Sequence, residues 1–285
     1  MILVTGSTGK VGQQLIAALS KSGATFSALA RSDGSAKALA ALGVKVVRGD
    51  LGDQASVRAA LHGMDRLFLL SSGSDPFAAE ASAIRTAKAV GVKHVVKLSA
   101  FGANADSASG FLRGHARAER LLEDSGVAWT FLRPSFFMQN WTLYNAAGIK
   151  AGQPVYTNAG DARLGWIDTR DIADVAVAAL TKPGHEGRAY DMTGPEPLSY
   201  AQVTQKLGKL LARNVDYVPV SDAACYQAMT GMGMPADYAF ALVTLNQAAR
   251  RGAADASTGT VELVTGKPAR SIDAFLSEHI AAFRA

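Results

Sequence analysis

The chain has 285 residues, 48% of them hydrophobic, with 29 basic against 24 acidic side chains and a formal net charge of +5. That composition excludes a disordered chain, and the scattered basic residues form no nucleic-acid-binding stripe, so a small anionic ligand accounts for the positive excess. No apolar run approaches the roughly 20 residues of a membrane span, and the single cysteine, Cys225, excludes an internal disulfide framework and a cysteine-cluster metal site.

The elements follow one rhythm through the first half. Ile2–Thr5 is an apolar run that stops at Gly6, and Lys10–Lys21 follows with Val11, Leu15, Ile16 and Leu19 at helical spacing. Phe26–Ala30, Val44–Val47, Arg66–Leu70, His94–Leu98 and Trp129–Leu132 read as strands. Between them Ala36–Leu42, Ser56–Leu61, Ala78–Val90 and Phe111–Glu123 read as helices. The strands are nearly continuous in hydrophobicity, as strands covered on both faces are. A β-α repeat of such strands predicts an α/β fold, a doubly wound parallel sheet of Rossmann type.

After Pro134 the rhythm changes. Phe136–Ala147 reads as an aromatic-rich helix, Val155–Tyr156 and Gly165–Ile167 as short strands, and Asp168–Leu180 as an amphipathic helix. Ala189–Met192 reads as a strand and Ser199–Leu211 as a helix capped by Ser199. The last 70 or so residues read as mainly helical. The division expected is residues 1–135 as a nucleotide-binding domain, with 165–193 returning to its sheet. Residues 136–164 and 194–285 form a smaller, mainly helical substrate region.

The most informative stretch is Gly6-Ser7-Thr8-Gly9-Lys10-Val11-Gly12, between a strand and a helix. Gly6 permits the tight turn, Gly9 lets backbone approach a pyrophosphate, and Gly12 lets helix and strand pack closely. Free amides and the positive dipole at the helix start then hold phosphates. At the end of the second strand, where an NAD site places a carboxylate, the sequence reads Leu29-Ala30-Arg31-Ser32. A guanidinium there favours the 2′-phosphate of NADP(H) over NAD(H), with Asp33 two positions on as a softening influence.

The spacing G-x-x-G-x-x-G resembles that of the extended and atypical short-chain dehydrogenase/reductases. Arg48-Gly49-Asp50-Leu51 resembles the segment after their third strand, whose Asp faces adenine. Arg133-Pro134-Ser135, Trp166-Ile167-Asp168-Thr169-Arg170-Asp171 and Tyr190-Asp191-Met192-Thr193-Gly194-Pro195 resemble further stations of the same superfamily. Within it the pattern is most similar to the NmrA-like branch, which includes quinone oxidoreductases and triphenylmethane-dye reductases. That resemblance implies further cofactor contacts from Asp50 and Leu51, from Ser71, Ser72 and Gly73 after the fourth strand, from Ser99 after the fifth, from His115, and from Pro134 and Phe136 after the sixth.

The superfamily's Tyr-x-x-x-Lys pair is absent. Aligned on Glu119, Phe111 stands where the tyrosine belongs and His115 where the lysine belongs, while Ser99 stays in place. Phenylalanine transfers no proton. A simple ketone, whose reduction creates an alkoxide, is therefore disfavoured. A quinone, whose reduction creates a phenolate-type anion with a pKa near 10, needs much less help. The expected activity is NADPH-dependent hydride transfer to a quinone-like or other electron-poor aromatic acceptor, with His115 and Ser99 as the candidate catalytic pair. The alternative is an NADP(H)-binding redox sensor of the NmrA type. Phe101, Phe137, Met138, Asn140 and Trp166 are the expected substrate contacts, with Phe136, Trp141 and Gln139 beside them. The five histidines have no metal-ligand spacing. A cytoplasmic setting is expected, and a homodimer remains open.

Overall fold

The computed structural model describes residues 1–284. In chain order the elements are β1 (Ile2–Val4), α1 (Lys10–Ser22), β2 (Phe26–Ala30), α2 (Asp33–Ala41), β3 (Val46–Arg48), α3 (Gln54–Leu61), β4 (Arg66–Leu69), α4 (Phe77–Ala89), β5 (His94–Leu98), α5 (Gly110–Ser125) and β6 (Ala128–Pro134). A π-helical turn at Trp141–Asn145 leads into α6 (Ala146–Lys150). There follow β7 (Val155–Thr157), α7 (Thr169–Thr181), β8 (Arg188–Met192), α8 (Tyr200–Leu211), β9 (Tyr217–Pro219), α9 (Asp222–Gly231), α10 (Ala236–Arg250), α11 (Thr260–Thr265) and α12 (Ile272–Glu278). No helix among the described residues is long and apolar enough to cross a membrane.

The chain divides into two compact units, one of residues 1–106, 111–133 and 169–191, the other of 107–110, 134–168 and 192–285. A seven-stranded sheet runs in the order β3-β2-β1-β4-β5-β6-β8. The pairs from β3 to β6 are all parallel, with Leu3 opposite Ser27 on one side and Leu67 on the other. The order reverses between β1 and β4, and in such sheets that switch point is where ligands bind, beyond the strands' C-terminal ends. Leu3, Leu67, Leu69, Val95, Phe131, Ala83, Ile84 and Leu122 form the first unit's main core. That explains why β1, β4 and β5 read as apolar runs without alternation. This is the doubly wound α/β fold that the strand pattern predicts.

In the second unit β7 pairs in parallel with β9. The sequence pattern gave no sign of β9, because only three residues pair and one is Pro219. The expected strand at Gly165–Ile167 is reduced to isolated bridges, Phe137 to Ile167 and Leu164 to Leu198. Gly194 lies so close that a Cβ on it would stand 2.0 Å from the Trp166 carbonyl oxygen, so this segment is shaped by packing and not by a continuous ladder. The aromatic-rich helix begins at residue 139 and not at Phe136, and passes through the π-helical turn before ending at 150.

Candidate active site

At the switch point Thr5 ties β1 to the loop after β4. Its hydroxyl donates to the Leu70 carbonyl at 2.9 Å and accepts from the Leu70 amide at 2.8 Å. The chain then turns at Gly6, whose φ of +62° lies in the left-handed region, open to glycine at little cost. Ser7 Oγ is buried and donates back to the Val4 carbonyl at 2.9 Å. The Gly9 amide donates to the Gly6 carbonyl at 3.0 Å. Gly9 caps α1 without any side chain bonded to the first-turn amides. A Cβ on Gly12 would stand 2.1 Å from the Gly6 carbonyl oxygen and 2.9 Å from Ser7 Cα. Turn and helix therefore fit together only as bare backbone, with the amides of Lys10, Val11 and Gly12 at the positive end of the helix dipole. Thr8 and Lys10 are exposed beside them. Such a turn can hold phosphate oxygens.

Arg31, directly after β2, is exposed and takes part in no ion pair among the described residues. Asp33 pairs with Arg48 at 3.1 Å, so the carboxylate closest to Arg31 in sequence already has a cation of its own. Asp50 spends one carboxylate oxygen on the Gly52 amide at 2.9 Å, while Leu51 is half-buried beside it. Ser72 and Gly73 are exposed in the loop after β4.

Beyond the turn, the first unit holds a chain of polar groups. Lys97 Nζ, from the penultimate residue of β5, lies 2.9 Å from Glu80 Oε2 of α4, and neither side chain has any exposed surface. Lys97 also reaches His115 Nδ1 of α5 at 2.8 Å and donates to the Leu98 carbonyl at 3.1 Å. Ser71 Oγ donates to Glu80 Oε1 at 3.1 Å. Burial, and then the Lys97 ammonium, hold the His115 imidazole well below the ordinary histidine value, so the ring is neutral at neutral pH. Burial pushes the Glu80 carboxyl up, against the pull of Lys97. Ser99, at the end of β5, is buried and its hydroxyl has no hydrogen-bond partner. Phe111 stands one helical turn before His115 and offers no proton.

The sequence points to Ser71, Ser99 and His115 and gives no role to Glu80 or Lys97. One signal was available: a lone lysine inside His94-Val95-Val96-Lys97-Leu98, a strand buried along its whole length. Such a charge needs a buried partner.

Phe101 in the first unit, and Phe136, Phe137, Gln139 and Asn140 in the second, keep partial exposure, while Pro134 is buried. Met138, Trp141 and Trp166 are buried in the second unit's core. Trp166 meets Phe136 edge-on at 5.9 Å, Trp141 at 5.6 Å and Tyr200 at 5.2 Å, and its indole donates to the Leu198 carbonyl at 2.9 Å. The rings of Trp141 and Trp166 thus pack on neighbours and offer no open face. Gln139 Nε2 donates to Asp168 Oδ1 at 2.9 Å. Burial pushes the Cys225 thiol up, away from nucleophilic character.

Comparison with known proteins identifies the family. A family model described as NAD(P)H-binding matches residues 6–183. The chain is 41% identical to the NAD(P)H azoreductase of Xenophilus azovorans over 100% of both chains. It is 38% identical to the (4-alkanoyl-5-oxo-2,5-dihydrofuran-3-yl)methyl phosphate reductase of Streptomyces griseus over 99% of both. Among solved structures, the NADPH complex of an NADPH-dependent quinone oxidoreductase from Escherichia coli superposes with a TM-score of 0.89. That match is 29% identical and covers 98% of this chain and 100% of the other.

Proposed function

The chain belongs to the NAD(P)H-binding family, as an NmrA-like member of the atypical short-chain dehydrogenase/reductases, and from that premise we propose that it is an NADPH-dependent reductase of quinones, azo dyes and similar electron-poor acceptors. The observation that carries this reading is a phosphate cradle closed to any Cβ at Gly12, in a site whose tyrosine position holds Phe111. Bound NADPH supplies the hydride. The chain supplies the rest: bare amides at Lys10, Val11 and Gly12 for the diphosphate, and Arg31 for the 2′-phosphate. Asp33, two positions on, pairs with Arg48 at 3.1 Å on the exposed surface. Asp50, Leu51, Ser72 and Gly73 are the proposed adenine-side and loop contacts.

His115, being neutral, and Phe111 provide no acid, so the proton for the reduced acceptor comes from water. The relatives support this assignment of acceptors. An azo bond, a quinone and a conjugated furanone all take hydride into an electron-poor π-system. Phe101, Phe137 and Asn140 are proposed as acceptor contacts, each retaining exposed surface. A cytoplasmic setting, which keeps thiols reduced, suits the single Cys225.

The test is to incubate the protein with NADPH and, separately, a benzoquinone panel, an azo dye and an unactivated ketone, following the nicotinamide absorbance. Oxidation that depends on the protein is expected with quinone or azo dye and not with the ketone. NADPH binding without oxidation by any acceptor would replace this reading with that of a redox sensor.

A further inference from the structure

The first unit contains an ion pair that neither the glycine cradle nor hydride delivery requires. Lys97 and Glu80 are fully buried on adjacent elements of the first unit, 2.9 Å apart. An ammonium has three protons and no lone pair. Three groups surround it: Glu80 Oε2, in an ion pair not aligned as a hydrogen bond, and two hydrogen-bond partners, the Leu98 carbonyl oxygen at 3.1 Å and His115 Nδ1 at 2.8 Å. Towards such a group Nδ1 can only accept. A neutral imidazole that accepts at Nδ1 carries its proton on Nε2.

We propose that the buried Glu80–Lys97 pair is a positioning device that locks His115 in the Nε2–H tautomer, so that His115 presents a neutral hydrogen-bond donor where relatives with the Tyr-x-x-x-Lys motif present a lysine ammonium. The group it serves is an oxygen acceptor of the bound nicotinamide nucleotide, and in that respect the proposal rests on the function inferred above. Lys97 and Glu80 do not touch the reactants. Lys97 acts through His115, and Glu80 acts through Lys97 by pairing with it. Ser71, which donates to the second oxygen of Glu80, steadies that carboxylate from the loop after β4. The geometry also explains the glycine before His115. A Cβ on Gly114 would stand 2.3 Å from Asp75 Oδ1, so α5 lies close to the loop leading into α4, the helix that carries Glu80. The ionisable groups facing this part of α5 are therefore Lys97 from β5, Glu80 behind it, and Asp75 from that loop.

The alternative arrangement has the proton passed from Lys97 to Glu80. A neutral amine has two N–H protons and a lone pair, so it either donates to Nδ1 or accepts from Nδ1–H. Only the second makes His115 Nε2 an acceptor and gives the opposite nitrogen spectrum. The full-length protein labelled with ¹⁵N-histidine, without nucleotide, is examined by long-range ¹H–¹⁵N correlation, the His115 signals being identified by their loss in His115→Gln. The expected result is a pyridine-type shift at Nδ1 and a pyrrole-type shift at Nε2. Both should persist as pH falls through the ordinary histidine value.

Lys97→Met should give averaged shifts from mixed tautomers. If that variant does not fold, Glu80→Gln/Lys97→Met, which buries no charge, serves the same purpose. A pyrrole-type Nδ1 or an imidazolium in the unaltered protein would overturn the proposal, as would a single unaltered tautomer in the double variant. Addition of NADP⁺ should then move the Nε2 resonance of the unaltered protein by much more than that of Nδ1, and equal movement of the two would remove the link to the nucleotide. If calorimetry instead finds no nucleotide binding, the functional reading fails while the tautomer result stands.

Discussion

Removing one partner of the buried pair gives the sharpest test of the first unit's electrostatics. Lys97→Met leaves the Glu80 carboxylate with no exposed surface and no counter-ion. Breaking a buried pair from one side costs about 3–5 kcal/mol. Lys97 also serves the Leu98 carbonyl and His115 Nδ1, and an unmet polar group costs about 1–3 kcal/mol, so the loss belongs at the upper end, about 5 kcal/mol.

Glu80→Leu/Lys97→Met removes both charges and leaves three weaker deficits, at the Leu98 carbonyl, His115 Nδ1 and Ser71 Oγ, about 3 kcal/mol together by the same reasoning. The double variant should therefore be more stable than the single one by about 2 kcal/mol. The single variant should also show a particular pH dependence. Burial already raises the Glu80 carboxyl above 4.5, and losing Lys97 raises it further. Between 4.5 and that raised value the folded state binds more protons than the unfolded state. Stability then falls as pH rises, by up to about 1.4 kcal/mol per unit. Urea unfolding of the three proteins at about pH 5 and about pH 8 should show a larger deficit for Lys97→Met at the higher pH. A double variant no better than the single, or a deficit indifferent to pH, would refute the reasoning.

Gly12→Ala forces a Cβ to within 2.1 Å of backbone oxygen. It should cost about 1–3 kcal/mol of stability and lower NADPH affinity at least about tenfold, read by calorimetric titration, where an unchanged affinity would deny the cradle its role. Arg31→Ala should remove charge-assisted bonds of about 1.5–3 kcal/mol, weakening NADPH about 10- to 100-fold while sparing NADH, and equal losses for both would remove the 2′-phosphate assignment. Asp65 is held at about 2 by hydrogen bonds from Lys93 and the N-terminal ammonium. Its depressed value gives stability that is present above 3.8 and lost as pH falls through about 2. Asp65→Asn should therefore flatten the acid limb of unfolding, and an unaltered limb would show the contact to be idle.

The order of the first unit was legible because each signal there is local. Leu3, Val4, Phe68, Val95 and Val96 are covered on both faces and appear as apolar runs, and Gly6 and Gly12 mark a turn that admits no Cβ. The second unit was less legible because its signals come from distant partners. The strand β9 exists through β7, 62 residues earlier in the chain by their paired register. Trp166 looks like a ligand wall in sequence and is a core residue through Phe136, Trp141 and Tyr200. The role of Lys97 was hidden for the same reason: nothing near it in the chain says that Glu80 and His115 converge on its ammonium.

The loss of the tyrosine–lysine pair and the neutrality of His115 have one energetic consequence for the proposed activity. Hydride addition to an unactivated ketone leaves an alkoxide, a base comparable to the conjugate base of water, whose pKa is about 15.7. Addition to a quinone leaves a phenolate-type anion with a pKa of about 10. At about 1.36 kcal/mol per unit, the ketone's product is the more costly by roughly 8 kcal/mol when no acid stands by. That gap exceeds the factor of 10²–10⁴ that a well-placed general acid contributes. A site with Phe111 in the acid's place therefore leaves ketones far behind and sacrifices little with quinones, whose anions water can protonate after the hydride has moved. Selectivity for electron-poor acceptors then follows from what the site lacks, with no need for a pocket that recognises one particular ring.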